Sequence, residues 1–202
     1  MEKDANGTIT VSELGKPRRY ITDHDADGKG VFNKSFEEDI GSTVLPGILL
    51  YDTFLQTQTP IQMNNGEDLK NMKAAQPHAG LVADGTTVVR FVDFMPGTPA
   101  IYHRTASVDF AVLISGELEL LLDSGEKRLL KPGDHVVQRG TKHAWLNPHP
   151  TAVARAFFVQ SSSAPLVIEG EELGESIEWP EEIQKQLEQQ AAQAAQTQEA
   201  QK

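Results

Sequence analysis

The chain has 202 residues, with 18 Lys and Arg against 29 Asp and Glu, a net charge of −11 and no cysteine. This length allows one domain with one hydrophobic core. The negative charge disfavours nucleic acids and anionic membranes as partners, and the lack of cysteine excludes disulfides, thiolate nucleophiles and zinc sites built from sulfur.

The N-terminal segment and the hydropathy pattern bear on location. Residues 1–20 are polar and lack the apolar stretch of a signal peptide. The sequence also contains no run of about 18 apolar residues that would span a bilayer. We therefore expect a cytoplasmic protein with no membrane partner.

Three regions follow one another along the chain. Residues 1–79 are interrupted by Gly and Pro without a sustained period, which predicts an irregular arm with a few short strands packed on the next region. Residues 80–165 hold short β-branched and aromatic runs between Gly-containing turns, which predicts an antiparallel sandwich or barrel. Residues 166–202 form an extension that ends in Gln and Ala, where we expect a short helix beginning at Trp179-Pro180 and then fraying or disorder.

One acidic stretch imitates a calcium site. Asp23, Asp25, Asp27 and Gly28 match the first half of an EF-hand loop, in which alternating carboxylates surround the ion. Lys34 stands where that loop needs a bidentate glutamate, and no amphipathic helices flank the stretch. The prediction is a solvated acidic turn.

Two stretches of the strand region place glycine, histidine and polar residues at defined spacings. The first holds Gly97, His103, Thr105, Asp109 and Gly116, and the second holds Gly133, His143 and Asn147. They resemble the two motifs of the cupin superfamily, the first of which runs Gly, five residues, His, one residue, His, three or four residues, Glu, six residues, Gly. The second stretch is one residue short and has Arg139-Gly140 near the usual proline.

The resemblance is closer to a subgroup found in fungi and bacteria. That subgroup shares His103-Arg104-Thr105 with the later Asp109, and Gln138-Arg139-Gly140-Thr141 before His143-Ala144-Trp145. The similarity runs from Arg18 to about Gly174. It implies an all-β cupin barrel (a double-stranded β-helix, or jelly roll) over residues 80–165, with an irregular N-terminal arm and a short C-terminal helix. It also implies a place in secondary metabolism, often of polyketides, and a homodimer that packs through N-terminal strands.

The spacing has a physical meaning of its own. Alternate residues of a strand share a face, so Ile101, His103 and Thr105 point together, and Asp109 begins the inward face of the next strand. A third strand brings His143 into the same interior. Two imidazoles and a carboxylate that converge in this way form either a metal triad or an acid–base cluster.

The metal alternative rests on His103, Asp109 and His143. Cupins that bind metal typically use three His and one Glu, whereas here Thr105 replaces one His and the shorter Asp109 replaces the Glu. A hydroxyl is a poor ligand for transition metals. The expected cofactor is therefore either none or one divalent ion, Fe, Mn or Zn, and the sequence leaves both open.

The metal-free alternative makes His103, His143 and Asp109 catalytic, because a carboxylate beside an imidazole raises its basicity toward a proton next to a carbonyl. Inward-turned cations, including Lys142, would hold a substrate carboxylate or an enolate. The predicted substrate-binding residues are Arg90, Tyr102, Arg104, Thr105, Gln138, Arg139 and Trp145.

Several of these residues also have an ordinary structural interpretation. Isolated histidines are more often surface or hydrogen-bonded core residues, which we expect for His24, His78 and His149, and His135 is expected to face solvent. Trp145 is expected to pack in the core or at its rim. Asp109 would then brace a neighbouring strand, and Arg139 would pair with a surface carboxylate.

Three functions remain open for a small organic, carbonyl-bearing substrate. The first is a lyase (dehydratase) or isomerase of secondary metabolism that uses His103 and His143 as acid and base. The second is an iron-dependent dioxygenase, and the third is a non-catalytic ligand binder. Thr105 favours the first over the second, and the convergence of ionisable groups favours both over the third.

Overall fold

The computed structural model describes residues 1–3, 9–75, 82–181 and 183–185. Its strands are β1 (Glu2–Lys3), β2 (Ile9–Val11), β3 (Thr22–His24), β4 (Gly30–Phe32), β5 (Thr43–Leu45), β6 (Ile48–Gln56), β7 (Thr87–Phe94), β8 (His103–Arg104), β9 (Ser107–Ser115), β10 (Leu118–Leu122), β11 (Lys127–Leu130), β12 (His135–Arg139), β13 (His143–Leu146), β14 (Ala154–Ser162), β15 (Leu166–Ile168), β16 (Glu171–Leu173) and β17 (Ser176–Ile177). A 3₁₀ turn (Asn64–Gly66) leads into helix α1 (Glu67–Ala74).

Two antiparallel sheets make up the body of the molecule. One has six strands in the order β12-β9-β14-β7-β6-β5, and the other has five in the order β11-β10-β13-β8-β17. Phe94, Leu113 and Phe158 of the first sheet share one buried apolar cluster with Leu118 and Trp145 of the second. The all-β cupin-like prediction is confirmed, although the described strands form two packed sheets and not one closed barrel.

Alternation along β9 shows how the sequence directs its strands. Asp109 and Leu113 are buried, whereas Phe110 and Ile114 are 49% and 48% exposed. Successive side chains of a strand point to opposite faces, so one face of β9 lines the interior and the other faces out. After β9 the chain turns at Gly116, whose φ is +81° and where a Cβ would lie 2.8 Å from Cα of Ala154. Only glycine permits both that conformation and that close approach.

The sheets extend beyond both limits of the predicted 80–165 barrel. In the arm, β5 pairs with β6 and β6 pairs with β7. In the C-terminal extension, β17 pairs with β8. The arm was predicted to contain only short strands, but β6 is nine residues long. Its residues Ile48 and Leu50 pack against the interior cluster, which is why so long a strand forms there.

The remaining arm covers the outer face of the six-stranded sheet. Tyr51 and Leu49 pack there with Ile40 in a second apolar cluster. Beside it, Arg155 donates to both oxygens of Asp93 at 2.5 and 2.7 Å, and the Ser12 hydroxyl donates to Asp93 at 2.5 Å. Asp93 is fully buried, and the arm is attached to this ion pair of the sheet by the Ser12 bond and by the bond that Arg155 donates to the carbonyl oxygen of Gly15 at 2.6 Å.

The acidic stretch is a hairpin turn between β3 and β4. Asp25 Oδ1 accepts backbone N–H bonds from Asp27 and Lys29, both at 2.9 Å, and Asn33 donates to Asp23. These residues lie at the surface, which agrees with the prediction of a solvated turn.

At the other end of the chain, helical residues begin at Glu181, directly after Pro180. The predicted Gln- and Ala-rich tail from residue 186 and His78 lie outside the described residues. None of the helices in the described ranges is long and apolar enough to cross a membrane.

Candidate active site

A band of polar side chains crosses the interior beside the apolar cluster. Its members are at most 9% exposed and come from the inward faces of several strands: Arg90, Thr105, Ser107, Asp109, Gln138, His143 and Gln160. Burial of polar groups is costly unless they bond to one another. The hydrogen bonds of this band therefore define the chemistry that it supports.

His103 and His143 face each other across two paired strands. They are direct cross-strand partners in β8 and β13, and their ring centroids lie 4.2 Å apart. His143 is 1% exposed, whereas His103 is only partly buried. The two rings therefore form a pair with His103 on the more accessible side.

Backbone carbonyls fix the tautomer of both rings. His103 Nδ1 lies 3.0 Å from the carbonyl oxygen of Ile101, and His143 Nδ1 lies 2.9 Å from that of Thr141. Because a carbonyl oxygen only accepts, each Nδ1 carries the proton and donates it. Each Nε2 is then left with a lone pair that can accept a hydrogen bond or a proton.

Burial keeps both imidazoles neutral. It lowers the pKa of His103, and together with the neighbouring His103 it lowers the pKa of His143 to about 3. A charge on one ring opposes a charge on the other at this separation. The neutral pair can therefore take up one additional proton and one positive charge, but not two.

Asp109 lies behind the pair and is held by three donors. The Ser107 hydroxyl donates to Oδ1 at 2.6 Å, and the amides of Gln138 and Gln160 donate to Oδ2 at 3.4 Å. Burial raises the pKa of Asp109, while the bonds from Ser107 and Gln160 and the positive charges of Arg90 and of protonated His103 act to lower it. The carboxylate in turn raises the pKa of His103.

Gln138 connects the carboxylate to the imidazole pair. Its Nε2 lies 2.8 Å from Nε2 of His143 and 3.4 Å from Oδ2 of Asp109. Its Oε1 is buried without a hydrogen-bond partner among the described residues. Gln138 therefore acts inside the polar band, between two groups that were predicted to be catalytic.

An apolar pocket opens beside His103. Its cavity volume is about 100 Å³, and its mouth is open to solvent. Ile48, Phe94, Ile101 and Trp145 contribute to its wall together with His103. An apolar ligand would here meet one imidazole as a polar contact.

The predicted substrate-binding residues separate into inward and outward groups. Trp145 lines the pocket, while Thr105 and Gln138 lie inside the polar band. Arg90 also points inward, and its Nε lies 2.8 Å from Oδ1 of Asp52, so its charge is already partnered.

The other three lie away from the pocket. Arg139 follows the inward-facing Gln138 in β12, so it projects outward, and it is exposed. Arg104 does not line the pocket; it is half-buried, and its Nε is buried without a hydrogen-bond partner among the described residues. Tyr102 accepts a backbone hydrogen bond from Glu178 and does not line the pocket. The expectation that inward cations would hold a substrate carboxylate is therefore not met by Arg139, and for Arg104 it stays a prediction.

The predicted metal ligands are His103, Asp109 and His143. In the part of the chain that is described, no three His, Cys, Asp or Glu side chains lie close enough together to hold a metal ion. His103 and His143 offer two Nε2 atoms, but the oxygens of Asp109 accept bonds from Ser107 and two amides. These residues do not form a ready-made metal triad, and metal binding stays a prediction.

Two members of the site were not anticipated. Ser107 is two positions before Asp109 on β9, and Gln160 is two positions after Phe158 on β14, so period-two alternation alone would have placed both inside. His149 and His135 have ordinary surroundings. His149 accepts backbone bonds from Thr151 and Ala152, and His135 is exposed.

Related proteins place this fold in a family. A phomopsin biosynthesis cluster protein D of Diaporthe leptostromiformis is 40% identical over 80% of this chain and 87% of its own length. A cupin-domain-containing oxidoreductase of Aspergillus ruber is 32% identical over 81% of both chains. The chain belongs to the cupin superfamily. An oryzines biosynthesis cluster protein J of Aspergillus oryzae is 38% identical over 85% of this cupin and 97% of its own length.

No family model matches this cupin. A solved RmlC-like cupin of Shewanella frigidimarina overlaps 64% of the chain and 89% of its own, at 14% identity and a TM-score of 0.43. That likeness carries no conclusion about function. These relatives are named either as cupin-domain-containing oxidoreductases or as proteins of secondary-metabolite biosynthesis clusters of fungi.

Proposed function

We propose that this cupin is an enzyme of secondary metabolism that moves a proton at a carbon atom next to a carbonyl group, in an isomerisation or a dehydration. One observation carries the proposal. Both imidazoles are held with Nδ1 protonated; Nε2 of His143 accepts from Gln138, whereas His103 lies on the wall of an apolar pocket with the lone pair of its Nε2 available to accept. A neutral, oriented imidazole at a ligand pocket is the usual form of a general base.

His103 is the base in this reaction. Its Nε2 takes a proton from the carbon next to the carbonyl, and the electron pair of that C–H bond moves to the carbonyl oxygen to give an enolate. In an isomerisation the same proton returns to another carbon of the conjugated system. In a dehydration it leaves with the β-hydroxyl group as water, so atoms and charge balance in both.

The neighbours of His103 support the transient positive charge. Asp109 raises the pKa of His103, so the carboxylate favours the imidazolium that forms in the reaction. His143 stays neutral, since its Nδ1 donates to a carbonyl and its Nε2 accepts from Gln138. The pair therefore gains one charge in the reaction and not two.

Exchange of hydrogen for deuterium tests this proposal without knowledge of the natural substrate. Neutral phenyl-substituted ketones such as benzylacetone are incubated with the protein in D₂O, and deuterium at the carbons next to the carbonyl is followed by mass spectrometry. We expect the wild-type protein to accelerate exchange, and we expect this acceleration to be about 100-fold smaller with His103→Gln. His135→Gln is the matched control, because that histidine is exposed on an outward face. Equal exchange by wild type and His103→Gln would overturn the proposal.

The names of the relatives favour a second candidate, an oxidoreductase such as the iron-dependent dioxygenase. Its test is the metal content of the purified protein by inductively coupled plasma mass spectrometry, with His103→Ala and His143→Ala alongside. Stoichiometric iron that is lost in both variants, together with oxygen consumption, would replace the metal-free proposal. Ligand binding without exchange or oxygen consumption would support the third candidate, a binding protein.

A further inference from the structure

We infer that Trp179 contacts the substrate, and that the pocket which it completes accepts an uncharged, apolar group. The inference rests on the proposed function for the reaction at His103, but the binding that it describes is measurable without turnover. It concerns the C-terminal extension, which the two cupin motifs do not include.

The extension reaches the pocket because β17 pairs with β8. Ile177 is the cross-strand partner of His103. Ile177 and Trp179 both line the pocket, and both belong to the segment that follows the predicted barrel. The strand next to the base thus supplies two apolar side chains to the same wall.

The residue between them fixes the segment in place. The backbone N–H of Glu178 donates to the carbonyl oxygen of Tyr102 at 2.8 Å, and its carboxylate pairs with the ammonium group of Lys142. Alternation along an extended chain then turns Ile177 and Trp179 to the opposite side, toward the pocket. Trp179 is therefore positioned by the bonds that its neighbour Glu178 makes to Tyr102 and Lys142, the residues that precede His103 and His143.

The charge of the pocket wall selects the ligand. No Arg, Lys, Asp or Glu is among the described residues that line it. Two candidate cations are engaged elsewhere, since Lys142 pairs with Glu178 and Arg90 pairs with Asp52, and Arg104 does not line the pocket. A carboxylate placed there would lose its hydration without gaining a partner, which disfavours anionic ligands.

The aromatic side chains of the pocket wall restrict the class of ligand further. Phe94, Trp145 and Trp179 contribute three ring systems around His103. Aromatic rings favour flat, polarisable partners in stacked or edge-to-face contact. The class of ligand is therefore a neutral aromatic or polyene group attached to the reacting carbonyl.

The chain supplies its own reporters for a test. It has two tryptophans, and both line the pocket. Their indole N–H signals in a ¹H–¹⁵N correlation spectrum are titrated with benzylacetone and with hydrocinnamate, which has a similar size but carries a carboxylate. We expect benzylacetone to shift both signals saturably, and hydrocinnamate to bind at least about tenfold more weakly.

Substitutions then assign the role of Trp179. We expect Trp179→Ala to weaken benzylacetone binding about tenfold, followed on the Trp145 signal, and Trp179→Phe to retain most of it. Val167→Ala is the matched control, because this residue is 56% exposed, lies in the same extension and is outside the pocket. An unchanged dispersion of the amide spectrum in Trp179→Ala confirms that the fold is intact.

The outcomes separate this inference from the proposed function. Equal affinity for the ketone and the carboxylate, or equal affinity of Trp179→Ala and wild type, overturns the inference even if deuterium exchange is observed. Selective ketone binding that depends on Trp179, without exchange that depends on His103, upholds the inference and removes the proposed reaction.

Discussion

The side-chain amide of Gln138 lies 2.8 Å from Nε2 of His143 and 3.4 Å from Oδ2 of Asp109 through the same nitrogen atom. Because both partners accept, the amide must present its NH₂ group to them, and this orientation requires His143 to be neutral. The hydrogen bond from Gln138 therefore indicates that His143 is neutral, and it stabilises that neutral form.

The contact with His143 predicts a specific effect of Gln138→Leu. Loss of the donor leaves His143 Nε2 buried without a partner, so we expect a cost of about 1–3 kcal/mol in the free energy of unfolding, measured in urea. The ¹⁵N chemical shift of His143 Nε2 should also move. Gln160→Leu is the matched control, because Gln160 donates to Asp109 at the same 3.4 Å but is not bonded to His143. An equal shift of that ¹⁵N signal in both variants would contradict this role.

Acid sensitivity follows from the buried imidazole of His143. Its pKa is lowered to about 3 in the folded protein, whereas the unfolded chain binds a proton below about pH 6.5. Its contribution to stability is therefore complete above about pH 6.5 and is lost progressively as the pH falls toward 3. From pH 7 to pH 5 this loss amounts to about 2 kcal/mol for one such group.

Urea unfolding of wild type and His143→Gln at both pH values measures this contribution. The difference between the two proteins isolates His143 from Asp109, whose raised pKa acts in the opposite direction. We expect His143→Gln to lose less stability on acidification than wild type. A parallel decline of both proteins would show that His143 does not govern the acid response.

Asp109 is expected to tune His103 electrostatically. Asp109→Asn removes the charge that raises the pKa of His103, so this pKa should fall further, and deuterium exchange should slow at pH values at which His103 is neutral in both proteins. An NMR titration of the His103 ring measures the first effect. An unchanged His103 titration in Asp109→Asn would be inconsistent with the proposed support of the imidazolium.

The buried pair of Arg155 and Asp93 is a structural element apart from the site. Asp93→Asn leaves the guanidinium of Arg155 buried with an incomplete partner, and we expect a loss of about 3 kcal/mol in unfolding free energy. Asp39→Asn removes one partner of the exposed Arg18 and should change stability little. Similar losses of unfolding free energy in the two variants would show that the buried pair of Arg155 and Asp93 stabilises the fold no more than an exposed pair does.

Sequence periodicity predicted the strand faces because one side of each strand must be buried. It placed His103, Asp109 and His143 in one interior, and the cupin motifs gave their register. The hydrogen bonds could not be predicted in the same way, because the donors to Asp109 come from β9, β12 and β14, strands that are far apart in sequence. The sequence also could not show which of Gln138 and Arg139 faces the interior, because that depends on how β12 pairs in the sheet. Metal binding, the homodimer and the cytoplasmic location stay predictions.

Pairing of β17 with β8 also sets the time at which the site is completed during synthesis. Domains fold progressively from the N-terminus as the chain leaves the ribosome. Residues 176–179 emerge after every other described strand, so His103 lacks its neighbour Ile177 and the indole of Trp179 until then. A nascent chain that has formed the other strands of both sheets, but not yet β17, would therefore hold an open site, and it would gain the complete pocket only once residues 176–179 have left the ribosome.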